Sequence, residues 1–166
     1  MGSRRKAREA VLKALYLSEG RNISIDEAFH EMAEIDRLIA MSVEESEVSE
    51  LKPFALGLNE QQMEFARTLA HCIVDSREQL SEQIKPVLKN WDFSRISRID
   101  RFIMWIALAE MQYMPDIPIP VSINEAIELA KKYSSQQSSS FVNGILDAIA
   151  KKMKPTIPLN PPGGDL

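Results

Sequence analysis

From Arg98 to Met114 the chain places Ile99, Phe102, Ile103, Met104, Trp105, Ile106 and Leu108 so closely that a helix through them is apolar on nearly every side. Such a helix has no face left for water and must be wrapped by neighbours. Its strongly apolar part, Phe102 to Ala109, falls far short of the ~20 residues that cross a bilayer. Burial inside a protein core is what remains, and it demands other elements that each bring one apolar face.

The rest of the chain supplies such faces at helical spacing. Residues 4 to 18 carry Ala7, Val11, Leu12, Ala14 and Leu15 near the i, i+3, i+4, i+7 template, and Gly20 stands where a helix would be capped. Ser24 with Glu27, and Asn59 with Gln62, form capping-box patterns that open two more helices. Between them, residues 37 to 58 mix apolar groups with an acidic run, Pro53 and Gly57, which predicts a helix broken by loops. From Met63 onward Phe65, Ala66, Leu69, Ile73 and Leu80 keep the period, Ile84, Val87 and Leu88 continue it past a break, and Pro86 kinks or ends the helix.

After the central segment, the three prolines of 115–120 predict a stiff, non-helical connector. Ser122 with Glu125 is a third capping box, with Ile123, Ala126, Ile127 and Ala130 on one face of a helix reaching about Tyr133. Residues 134 to 140, all Ser or Gln, read as a low-complexity loop. Phe141, Ile145, Ala148 and Ile149 then begin a last helix. Gly144 inside it costs ~1 kcal/mol against alanine, which predicts that another backbone approaches there. Beyond residue 153, four prolines and two glycines predict a disordered tail over 154–166. No segment alternates with a period of two, so the fold class is all-α.

A chain of 166 residues, 45% hydrophobic, is long enough for one domain over 1–153, burying ~70% of its unfolded surface. The single cysteine, Cys72, excludes an internal disulfide, and the charged N-terminus is no signal peptide. A cytoplasmic protein is expected. There is no glycine-rich phosphate loop, no paired nucleophile and base, and no metal-ligand spacing. His71 and Cys72 are adjacent, so on a helix they point about 100° apart, and His30 stands alone. No cofactor, metal or enzymatic activity is expected.

The net charge of −4 is unevenly distributed. Residues 26–50 hold nine acidic groups against Arg37 alone, a local net of −8 that leaves +4 for the remainder. The most basic stretch is the head, with Arg4, Arg5, Lys6 and Arg8 inside five residues and Tyr16 two turns beyond Arg8 on a similar side. Such an edge can hold a phosphate backbone while the tyrosine stacks an unpaired base, an interaction of ~1–3 kcal/mol. The same residues can equally do no more than keep a chain soluble. Phe141 and Trp105, at helical spacing, read first as core.

Four ordered blocks resemble the NusB family of transcription antitermination factors. They are Arg4-Arg5-Lys6-Ala7-Arg8-Glu9 with Ala14-Leu15-Tyr16; Ile99-Asp100-Arg101 running into Ile106-Ala107-Leu108-Ala109-Glu110; Ile123-Asn124-Glu125-Ala126-Ile127-Glu128-Leu129-Ala130-Lys131; and Phe141-Val142-Asn143-Gly144-Ile145-Leu146-Asp147. The resemblance spans residues 4 to 151. It implies a domain of about seven helices in two packed subdomains that binds boxA RNA together with the ribosomal protein NusE. The pair then joins other Nus factors on RNA polymerase during ribosomal RNA transcription. It also implies RNA contacts at Arg4, Arg5, Lys6 and Arg8 and, at the start of the last helix, at Ser139, Ser140 and Phe141. Asn143 and Gly144 are read as structural.

Three features depart from the family pattern: the acidic segment, Trp105 where an arginine is common, and the uncharged loop before Phe141. Some relatives are homodimers, and a helical interaction module or homodimeric adaptor with little RNA binding is the competing expectation. NusB-like domains also occur fused to RNA methyltransferases, but no catalytic domain follows residue 151.

Overall fold

The computed structural model describes residues 2–42, 44–89 and 92–153, and among them every regular element is helical. The elements are α1 (Gly2–Arg21), α2 (Ile25–Met41), the single turn α3 (Glu45–Val48), α4 (Glu60–Ile84), α5 (Arg98–Tyr113), α6 (Ile119–Tyr133) and α7 (Gln136–Lys152). Short 3-10 turns occupy Lys52–Phe54, Lys85–Val87 and Phe93–Arg95. The sequence-predicted tail, 154–166, lies outside the described residues.

α5 is the hub. Phe102 through Met111 are buried without a gap, and the helix packs on α1, α4, α6 and α7. One continuous apolar core results, fed by Val11 and Leu12 of α1, Phe29 and Met32 of α2, Leu69 and Ile73 of α4, and Leu146 of α7. The caps read from sequence form where helices begin with them. Ser24 Oγ accepts the Glu27 N–H at 3.1 Å, while Asn59 and Gln62 exchange bonds of 2.8 and 2.9 Å in a full capping box.

Several boundaries differ from the sequence reading, each for a local reason. α1 runs through Gly20, and the chain turns out at Asn22, whose φ of +54° is one of the few left-handed positions a side chain tolerates. α4 does not break after Leu80. Its kink is at Ser76 (φ −122°, ψ 15°), whose hydroxyl donates to the Cys72 carbonyl one turn back, a bond that bends helices. α6 starts at Ile119 with Pro120 in its first turn, where a missing N–H leaves nothing unpaired. Ser122 is therefore inside the helix and caps nothing. The serine-glutamine run is not a loop either: Ser135 caps α7 by accepting the Ser138 N–H at 3.0 Å. Nor does another backbone approach Gly144, since a Cβ there would meet nothing within 4 Å.

Candidate nucleic-acid interface

The first turns of α1 carry Arg4, Arg5 and Lys6 exposed, with no acidic residue among them. Arg4 reaches Asp116 at 3.3 Å and lies 4.9 Å from the centre of the Phe65 ring. Arg5 makes a two-pronged bond to Glu125 of α6, Nε to Oε2 at 2.9 Å and Nη2 to Oε1 at 3.0 Å. That bond, outweighing the partial burial of Glu125, holds its carboxyl below the ordinary range. Both arginines thus stand oriented by carboxylates, with roughly half of each side chain still open to solvent.

Arg8 is placed differently from the sequence expectation. It is 3% exposed, and its Nε and Nη2 donate to Glu110 of α5 at 2.6 and 2.8 Å. Glu110, 1% exposed, also accepts the Ser122 hydroxyl at 3.0 Å. Arg8 is a buried clamp between α1 and α5 and presents no donor to a phosphate. The signal that could have found it is Glu110 itself, an acid deep inside the apolar helix, because a buried carboxylate requires a buried cation.

Tyr16 is 49% exposed, but about 18 Å along α1 from Arg4. The Arg98 guanidinium lies 5.3 Å from its ring centre. Arg98 and Arg101 both approach Glu19, at 3.9 and 3.0 Å. The structure therefore divides the predicted site between the two ends of α1. Along the face between them, Lys132 of α6 pairs with Glu9 at 2.7 Å. Lys13 is half-buried, and burial lowers its pKa. Neither lysine was singled out from the sequence, although Arg5, Glu9 and Lys13 repeat at four-residue spacing.

At the start of α7, Ser139 is buried and donates to the Gln136 carbonyl at 2.7 Å, so it too is not presented to a ligand. Ser140 is exposed. Phe141 is partly buried and lines a cavity with Arg95, Asp100, Ser135 and Ser138. Asn143 and Gly144 are exposed on α7; the interhelical tie expected of Asn143 is not formed. Among the described residues no cluster of His, Cys, Asp or Glu could hold a metal, and no helix is long and apolar enough to cross a membrane.

The sequence model of the NusB family matches residues 5–151. The transcription antitermination protein NusB of Myxococcus xanthus is 38% identical over 150 residues, covering 90% of this chain and 96% of that protein. Among solved structures, T. maritima NusB is similar at 33% identity with a TM-score of 0.72, covering 92% of this chain and 93% of that one. A structure of antitermination factors NusB and NusE in complex with dsRNA shares the fold at 22% identity, with a TM-score of 0.71 over 92% of this chain and 98% of that one.

Proposed function

This chain belongs to the NusB family, and from that premise we propose that it is a transcription antitermination factor that binds boxA-type RNA together with NusE. In this reading it works by binding alone, in the cytoplasm, joining other Nus factors and RNA polymerase to support ribosomal RNA transcription. The observation that carries the proposal is the family match over residues 5–151, which takes in the whole described core. α1 to α4 and α5 to α7 are read as its two packed halves, meeting where α5 lies on α1 and α4.

The proposed RNA contacts are Arg4, Arg5 and Lys6 at one end of α1, and Tyr16, Ser140 and Phe141 at the other. Arg8 and Ser139 act beneath the surface as anchors. Three cationic contacts to a single strand give a slope of log K against log salt of about −2. Titration of a boxA-like single-stranded RNA, with and without NusE, tests this against a variant with Arg4, Arg5 and Lys6 changed to alanine. The expected result is weaker binding and a flatter salt dependence in the variant. Equal affinities, or no binding by the unaltered protein even with NusE present, would refute it.

A second reading, a helical interaction module or homodimeric adaptor, is favoured by one observation. Leu38, Met41 and Phe54 are exposed large apolar groups beside the acidic stretch of α2. A dimeric mass in light scattering, with no RNA bound in the titration, would select it.

A further inference from the structure

Between the N-termini of α5 and α7 lies a cavity of 390 Å³. Asp100, one of its lining residues, is only 8% exposed. Its Oδ2 accepts the Ser138 hydroxyl at 3.0 Å, while its Oδ1 is buried and has no hydrogen-bond partner. A buried carboxylate oxygen left unpaired is a costly exception in a folded protein, and a donor arriving from outside would relieve it. The surroundings have the opposite sign. Arg95 lines the cavity, and α7 begins there with Ser135 as cap and no acidic residue in its first turn. Its positive end is therefore uncompensated and favours an anion. Phe141 adds an aromatic wall.

An acceptor, an aromatic wall and an anion-favouring helix end match the three parts of a nucleotide. We propose that this cavity is a base-reading subsite for a guanosine of single-stranded RNA, with Asp100 as the specificity-determining residue; the inference rests on the RNA-binding reading above. Unpaired bases are recognised by stacking and by bonds to their Watson–Crick edges. Among the four, guanine alone offers two adjacent N–H donors there, N1–H and the N2 amine, to a carboxylate that only accepts. Adenine and cytosine set a lone pair beside their amine, and uracil flanks its single donor with two carbonyls. A lysine or arginine of a protein partner would also satisfy Asp100, but Arg95 and the positive end of α7 oppose a second cation.

The test is fluorescence anisotropy on the full chain, using short oligouridines whose central residue is guanosine, inosine, adenosine or uridine. The expected result is guanosine bound about 10-fold more tightly than adenosine, with inosine, which lacks the N2 amine, in between. Asp100→Asn should abolish the preference while leaving the salt dependence unchanged, and Arg95→Gln should weaken all four RNAs alike. If Asp100→Asn does not fold, the inosine comparison on the unaltered protein still decides. Equal binding of the four RNAs, or a guanosine preference that survives Asp100→Asn, overturns the subsite while leaving RNA binding intact. Loss of NusE binding in Asp100→Asn without any change in base preference assigns the cavity to a protein side chain and overturns it too. No binding of any RNA, with or without NusE, overturns the RNA reading and the subsite together.

Discussion

Removing the Arg8 side chain should destabilise this protein far more than it weakens any contact with RNA. The guanidinium and Glu110 are both almost wholly buried and share two bonds of 2.6 and 2.8 Å. Arg8→Ala leaves the carboxylate with the Ser122 hydroxyl alone. Breaking a buried pair from one side costs about 3–5 kcal/mol. At about 2–4 °C per kcal/mol for a chain of this size, Tm falls by roughly 6–20 °C. The double change Arg8→Met with Glu110→Leu removes both charges and fills similar volume, and such replacements are neutral or stabilising by about 1–4 kcal/mol. Thermal unfolding followed by circular dichroism, on both variants, reads the contrast. A shift below about 2 °C for Arg8→Ala, or a double variant no more stable than the single one, would refute the clamp. The folded double variant should also keep its RNA affinity; losing it would return Arg8 to the interface.

Gly144→Ala should stabilise α7 by up to ~1 kcal/mol, because a Cβ there meets nothing; destabilisation in urea melts would reveal a contact made in the free protein. Ser135→Ala removes the α7 cap and should cost ~1 kcal/mol, whereas Ser122→Ala, which caps nothing, should act only through Glu110; equal urea midpoints for Ser135→Ala and the unaltered chain would contradict the helix start. Glu125 has its pKa depressed, chiefly by the Arg5 bond, so its stabilisation is complete at neutral pH and is lost as pH falls below the ordinary value of 4.5. The stability gap between the unaltered protein and Glu125→Gln should therefore close on acidification, and a gap that widens below pH 4.5 would invert the assignment.

The core was legible because its signal is local and redundant. Phe102 to Leu108 are apolar whatever the neighbours do, and Asn59 with Gln62 encode a cap within four residues. Pro120 and the serine run were misread because composition argues against helix, while the decisive fact is position within the first turn. Pro120 needs no donor there, and one serine, Ser135, satisfies the next turn's N–H. The site was harder. Arg4, Arg5, Lys6 and Arg8 look equivalent in sequence, and what separates them is Glu110, 102 residues away. Likewise the free oxygen of Asp100 depends on Ser138 of α7 taking the other one, a pairing that no periodicity encodes. Tyr16 shares a helix with Arg4, yet helical rise carries it to the opposite end.

The clamp at Arg8 also changes what kind of ligand arm the head of α1 is. Free helix ends commonly fray at almost no cost, opening independently of the rest of the molecule. Here the second turn is fastened to the centre of the molecule, so Arg5, less than one turn away, is held in register by the same contacts that hold the fold. The head is then preorganised: much of the ordering entropy that a floppy basic tail would lose on meeting its ligand has already been spent in folding. Recognition becomes sensitive to damage far from the surface, because loosening Glu110 would blur the arginine geometry without touching an arginine.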